Sequence, residues 1–135
     1  MDLNLIIKNL PALFAALFTA ILFIQSGLDK VLDRKGNLEF LTGHFSKTFV
    51  AGMVPMMFGT ITLMEIVTGL LSAIAIVYFF ATGSTLLIFI SGALGAASLT
   101  ALFFGQRIAK DYPGAAVLVP YFILMLIVMY LTRPA

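Results

Sequence analysis

The stretch Met53–Phe80 constrains the chain most, because it is long and apolar enough to cross a bilayer and yet carries a carboxylate, Glu65, inside it. A transmembrane helix needs about 20 mostly apolar residues at a rise of about 1.5 Å each. In a span centred on this stretch, Glu65 lies roughly 10 Å in from one interface. A charge at that depth costs roughly 2.5–3.5 kcal/mol on insertion scales, so the side chain must face protein or water and needs a partner. Phe58, Thr62, Glu65, Thr68, Gly69, Ser72 and Ile76 share one side of a helix. The opposite side carries Leu63, Met64, Val67, Leu70, Leu71 and Ile74. The side with Glu65 is the small and polar one. It is expected to point into a bundle that the other helices complete.

Composition fits a membrane chain. Hydrophobic residues make up 61% and charged residues 10%, where a soluble domain has about 25% charged. The mean hydropathy is +1.11. The predicted fold class is all-α: an integral membrane four-transmembrane-helix bundle, one domain over 1–135, with a short interfacial amphipathic helix in the first loop. The pI near 9.1 reflects few acids and scattered bases, so no nucleic-acid partner is expected. The chain has no cysteine, which removes thiolate metal sites, iron–sulfur ligation and thiol redox chemistry within it. Its one histidine, His44, has no accompanying ligand set and reads as an ordinary interfacial residue. No metal site is expected.

Taken in order, the spans are expected at about 10–28, 56–79, 84–104 and 114–132. Asn9-Leu10-Pro11 suits a helix start, since proline is tolerated in the first turn. No A-x-A-like site follows the first apolar run, so it reads as a retained span and not as a signal peptide. That span closes in a polar cluster, Gln25, Ser26, Asp29 and Lys30. Lys30 either snorkels to headgroups or, with Gln25 as the other candidate, leans inward as the partner of Glu65. Residues 33–37 read as a turn with Asn37 as an N-cap. The segment 37–50 then reads as an interfacial helix with Leu38, Leu41, Phe45 and Phe49 on one face. A tight turn at 81–84 makes the second and third spans antiparallel neighbours.

The third span is rich in small residues. Ser91-xxx-Gly95 and Gly92-xxx-Ala96 have the spacing that lets helix backbones approach closely; with Gly69 they are read as packing positions, within the bundle or in a homodimer. Arg107, Lys110 and Asp111 form the third loop, and Asp111-Tyr112-Pro113 opens the fourth helix as a cap and a first-turn proline. Pro120, inside that helix, frees the carbonyl of Ala116 and predicts a kink or a close neighbour there. The first and third loops hold Lys30, Arg34, Lys35, Lys47, Arg107 and Lys110, against Lys8 and Arg133 at the other end. The positive-inside rule then puts the charged loops in the cytoplasm. The candidate intramembrane polar site is Glu65, Lys30, Gln25, Asp29, Arg107 and Tyr112, with no catalytic residue assignable.

Ser26-Gly27-xx-Lys30 closing the first span, Pro55 before the second, and Glu65-xxx-Gly69 within it resemble the DoxX-like family of small four-helix membrane proteins. The resemblance covers nearly the whole chain. It implies Lys30 and Glu65 as family-typical polar positions, a bacterial inner membrane location, and a relation to the small membrane subunit of thiosulfate:quinone oxidoreductases. Many relatives carry an arginine near the second loop, and residues 78–85 here have none.

Three functions are expected to compete. The leading one is an accessory subunit of a larger respiratory or redox membrane complex, without catalytic activity of its own. The second is a quinone-linked oxidoreductase subunit of thiosulfate or thiol type. In that role Glu65 could carry a proton, because desolvation penalises a charged carboxylate, and Lys30, Arg107 or Tyr112 could hold carbonyl oxygens. The third is a small proton-coupled transporter using Glu65. The partners expected are the bilayer and other membrane subunits, and no cofactor is bound covalently; quinone or lipid is the expected ligand.

Overall fold

The computed structural model describes residues 1–135. The chain folds into six helices and a short 3-10 turn: α1 (Leu3–Lys8), α2 (Leu10–Leu32), α3 (Arg34–His44), the turn Ala51–Met53, α4 (Val54–Thr82), α5 (Leu86–Ile108) and α6 (Tyr112–Thr132). Four of these, α2, α4, α5 and α6, are long and apolar enough to cross a membrane. The chain is an all-α four-helix bundle of an integral membrane protein. α2 packs mainly on α4, α4 on α5 and α5 on α6, while α2 also touches α5 and α6 and closes the bundle.

Local chemistry sets the helix ends. Pro11, Pro55 and Pro113 sit in the first turns of α2, α4 and α6, where a missing N–H costs nothing. Asp111 Oδ1 accepts from the Gly114 amide at 2.9 Å and caps α6. α4 stops at Gly83, whose φ of 76° places it in the left-handed region and whose N–H donates to the Phe79 carbonyl at 2.7 Å. Only a residue without Cβ takes that conformation freely, which makes the α4–α5 turn tight. α6 runs on as one helix through Pro120, which is exposed on its outer surface.

Two local expectations are corrected. Asn37 is not an N-cap: α3 starts at Arg34, and its cap is Asp33, whose Oδ1 accepts from the Gly36 amide at 3.3 Å. Asn37 sits inside the helix and its Nδ2 donates to the Asp33 carbonyl at 2.8 Å. The helix also ends at His44, well short of residue 50. Beyond it Ser46 and Thr48 turn their hydroxyls onto the carbonyls of Gly43 and Phe45, and such local bonds compete with helix continuation. Leu38, Leu41 and Phe45 do pack together, against Val50, Val54 and Met57, but Phe49 falls in the turn and is exposed. A third element is new. The first residues form α1, capped by Asp2, and it lays Leu5 and Ile6 on the core at the end opposite the charged loops.

Small residues line the places where the helices come closest, at Gly27 and Gly69 between α2 and α4 and at Gly92 and Gly95 between α5 and α6. On α4 the buried stripe is Phe58, Glu65, Thr68, Gly69, Ser72, Ala75 and Phe79, while Leu63, Val67, Leu70 and Ile74 face outward. Ser72 Oγ donates across to the Ala16 carbonyl of α2 at 2.7 Å. Gly92 and Gly95 of α5 pack on α6, where a Cβ at Gly95 would stand 2.6 Å from Met125 Sδ. Ser91 is buried with its hydroxyl on the Ile88 carbonyl, and Ala96 is partly buried against the Phe23–Leu99–Met125 cluster. These small residues serve packing within the chain. Because a methionine side chain adjusts readily, G95A is expected to cost less than about 1 kcal/mol in reversible unfolding from mixed micelles. A cost several times larger would mean that Met125 cannot yield.

Candidate functional site

The site grows from the crossing of α2 and α4. A Cβ at Gly69 would lie 2.6 Å from the backbone N of Ile24, and one at Gly27 would lie 2.6 Å from Ile66 Cγ1. The two backbones therefore run almost in contact, the arrangement that small residues permit in membranes. The helices are antiparallel, so one turn on from this crossing α2 presents Lys30 and α4 presents Glu65 on facing surfaces. Lys30 Nζ stands 3.0 Å from Glu65 Oε1 and donates a hydrogen bond to Oε2 at 3.3 Å. It donates a second to Ser26 Oγ at 3.0 Å, one turn back on its own helix. Glu65 is 1% exposed, and the Lys30 side chain 16%. Oε1 is buried and makes no hydrogen bond to any other group, so the ammonium 3.0 Å away is the partner that answers it.

The other sequence candidates do not join this pair. Gln25 and Asp29 lie on the exposed face of α2, and Asp29 Oδ2 is 3.5 Å from Asn37 Nδ2. Arg107 and Tyr112 are exposed at the α5–α6 loop, where the guanidinium stacks on the tyrosine ring 4.4 Å from its centroid. Lys30 alone fulfils the partner role.

Two residues gain importance from the tertiary structure. His44 Nε2 lies 2.8 Å from Gln106 Oε1, with the ring nitrogen donating, and 3.7 Å from Asp111 Oδ2. This contact ties the end of α3 to α5 and to the cap of α6. His44 also stacks on Phe40 and meets Phe45 edge-on. The two residues are 62 positions apart, and no local pattern could have joined them. Nothing in the residues around Gln106 marks it, and the sequence around His44 predicts an ordinary interfacial histidine, so only the fold shows the contact.

Between α3, α4 and α5 these residues enclose a cavity of about 380 Å³. Lys30 lies in its wall, with His44 and Gln106 as further polar groups. The rest is apolar, including Phe45, Phe58 and the methionines Met57 and Met64. The lining residues Phe40, Met56 and Phe104 are themselves exposed on the bundle surface, so the cavity opens sideways between α4 and α5. A larger hollow of about 620 Å³ lies along α3 but is bounded only by residues of that helix, among them Arg34 and Glu39. It has no opposing wall. The cavity between α3, α4 and α5 has the size and the apolar-with-few-polar-groups character of a small-molecule site.

No group of three or more histidine or acidic side chains is placed to hold a metal. Compared with known proteins, the chain matches no family model, no curated protein and no solved structure.

Proposed function

We propose that this chain is an accessory subunit of a larger redox complex in a bacterial inner membrane, DoxX-like in character, with its charged loops in the cytoplasm. The observation that carries this reading is the Lys30–Glu65 pair. The membrane-buried carboxylate is answered inside the chain by a lysine on the neighbouring helix, so the pair fastens α2 to α4 and needs no substrate to satisfy it. The outer faces of α2 and α6 present large apolar side chains such as Phe14, Phe18, Ile123 and Leu126, which suit either lipid or neighbouring subunits. The transporter reading is weakened by the same pair, since a cationic substrate would meet a carboxylate already neutralised by Lys30.

The cavity favours one second reading, a quinone-linked subunit. Its opening at the bundle surface would admit a ligand from the bilayer, and its polar groups are Lys30, His44, Thr60 and Gln106. Tagging the chain in native membranes and solubilising gently is expected to recover stoichiometric partner subunits by mass spectrometry. Haem or flavin bands should appear in the optical spectrum of the same sample. A lone chain without chromophore would reject the accessory-subunit reading.

A further inference from the structure

One polar side chain inside the spans is left without a partner. Thr19, Thr62, Thr68, Ser91, Ser98 and Thr132 turn their hydroxyls onto carbonyls of their own helices, and Gln106 is held by His44. Gln25 lies on the outward face of α2, and its amide makes no hydrogen bond within the chain. Its depth makes that unfavourable. A Cβ at Gly69 would touch the backbone N of Ile24, the residue before it, and Gly69 is the sixteenth of the 29 residues of α4. Gln25 therefore stands level with the middle of the longest span, about 7.5 Å further from the charged loops than Lys30. A lipid-facing amide at that level has two N–H donors and a carbonyl acceptor with no water to meet them.

The residues around Gln25 say what meets it. Phe14, Phe18, Ile21, Gln25 and Leu28 are all exposed and follow one another in steps of four, three, four and three. That spacing is the seam of two helices packed in parallel with a left-handed crossing. A two-fold axis along the membrane normal sets each residue of such a seam opposite its own copy. Gln25 is self-complementary there, because the N–H of each amide donates to the carbonyl oxygen of the other. We propose that a second copy of this chain packs on this stripe, α2 against α2, with the paired Gln25 amides as the hydrogen-bonded centre of the contact. Lipid covers the apolar members of the stripe as well as protein does, so they select nothing. The amide does select, since acyl chains offer it neither donor nor acceptor. At the same height the outward face of α6 offers only apolar side chains such as Ile123 and Leu126. The inference goes beyond the accessory-subunit reading and stands without it, because it concerns the chain with no other subunit present.

The chain has no cysteine, so single introduced cysteines report contact directly. I21C and L28C, purified and oxidised in phosphatidylcholine vesicles at high lipid excess, are expected to form a disulfide-linked dimer. I123C, on the outward face of α6, is expected to stay monomeric. Energy transfer between donor- and acceptor-labelled A135C chains, followed as lipid is added, gives the association constant. Q25M keeps the length of the side chain and removes the amide, and it is expected to weaken association about tenfold. Q25N, which keeps an amide, is expected to restore part of that loss. Cross-linking at I123C and not on the stripe, or none at either stripe position, overturns the dimer. Stripe cross-linking with association unchanged in Q25M overturns Gln25 as its centre. In native membranes, I21C linked to another polypeptide and never to its own copy would give the face to a different subunit, and the proposal falls. Gln25 makes no bond within the bundle, so Q25M is expected to keep full helicity by circular dichroism; should it unfold, the I21C and L28C results decide.

Discussion

Replacing Lys30 with methionine is expected to destabilise the bundle by about 3–5 kcal/mol, the range for removing one partner of a buried ion pair. The lost attraction is only part of this. Glu65 is 1% exposed, and without the ammonium it becomes a buried carboxylate with both oxygens unsatisfied inside the membrane. The reverse change is expected to cost less, about 1–3 kcal/mol for E65Q. Lys30 is 16% exposed and sits two residues from the end of α2, so its long stem can carry the ammonium outward to the interface. The double variant K30M/E65L removes both charges and is expected to recover most of the loss, because replacing a buried pair by apolar side chains of similar size is often neutral. Reversible unfolding in mixed micelles of the two singles and the double gives the coupling directly. A double variant as unstable as K30M alone would show that packing, and not the pair, is what Lys30 contributes.

Gly69→Ala is expected to cost about 3 kcal/mol or more, near the upper end for overpacking, although it adds one methyl group. The added carbon would stand 2.6 Å from the backbone N of Ile24 and 3.1 Å from the carbonyl carbon of Phe23. Backbone cannot rotate away as a side chain can, so α2 and α4 must separate. Separation at this crossing is felt one turn along, where the Lys30–Glu65 contacts of 3.0–3.3 Å would lengthen. G69A should therefore lose stability and, in the same protein, weaken the coupling between Lys30 and Glu65 in a double-mutant cycle. The contrast with G95A is the control, since the atom in the way there is a methionine sulfur. Equal costs for G69A and G95A would refute the argument from backbone contact.

Some of this was legible in the residues themselves. The polar stripe of α4 came directly from 3.6-residue periodicity, because which side chains share a helix face depends only on their spacing. The four long helices followed from apolar length, and the start of α6 from Asp111 and Pro113, since these are short-range properties. The boundaries of α3 were less legible. Asp33 and Asn37 are both good capping residues, and the choice between them turned on where α2 ends.

What only the tertiary structure decided was rotation and proximity. Gln25, Asp29, Arg107 and Tyr112 carried polar groups of the right kind near the right interface, yet Lys30 alone meets Glu65. The reason is that Gly27 and Gly69 bring α2 and α4 into near backbone contact and so fix which face of α2 looks inward. The cavity is further still from the sequence. It needs Lys30 from α2, the end of α3, the first turns of α4 and the last turns of α5 in one place, held there by a His44–Gln106 contact across 62 residues. Periodicity says which residues share a face of one helix, and it holds nothing about which faces of four helices will meet.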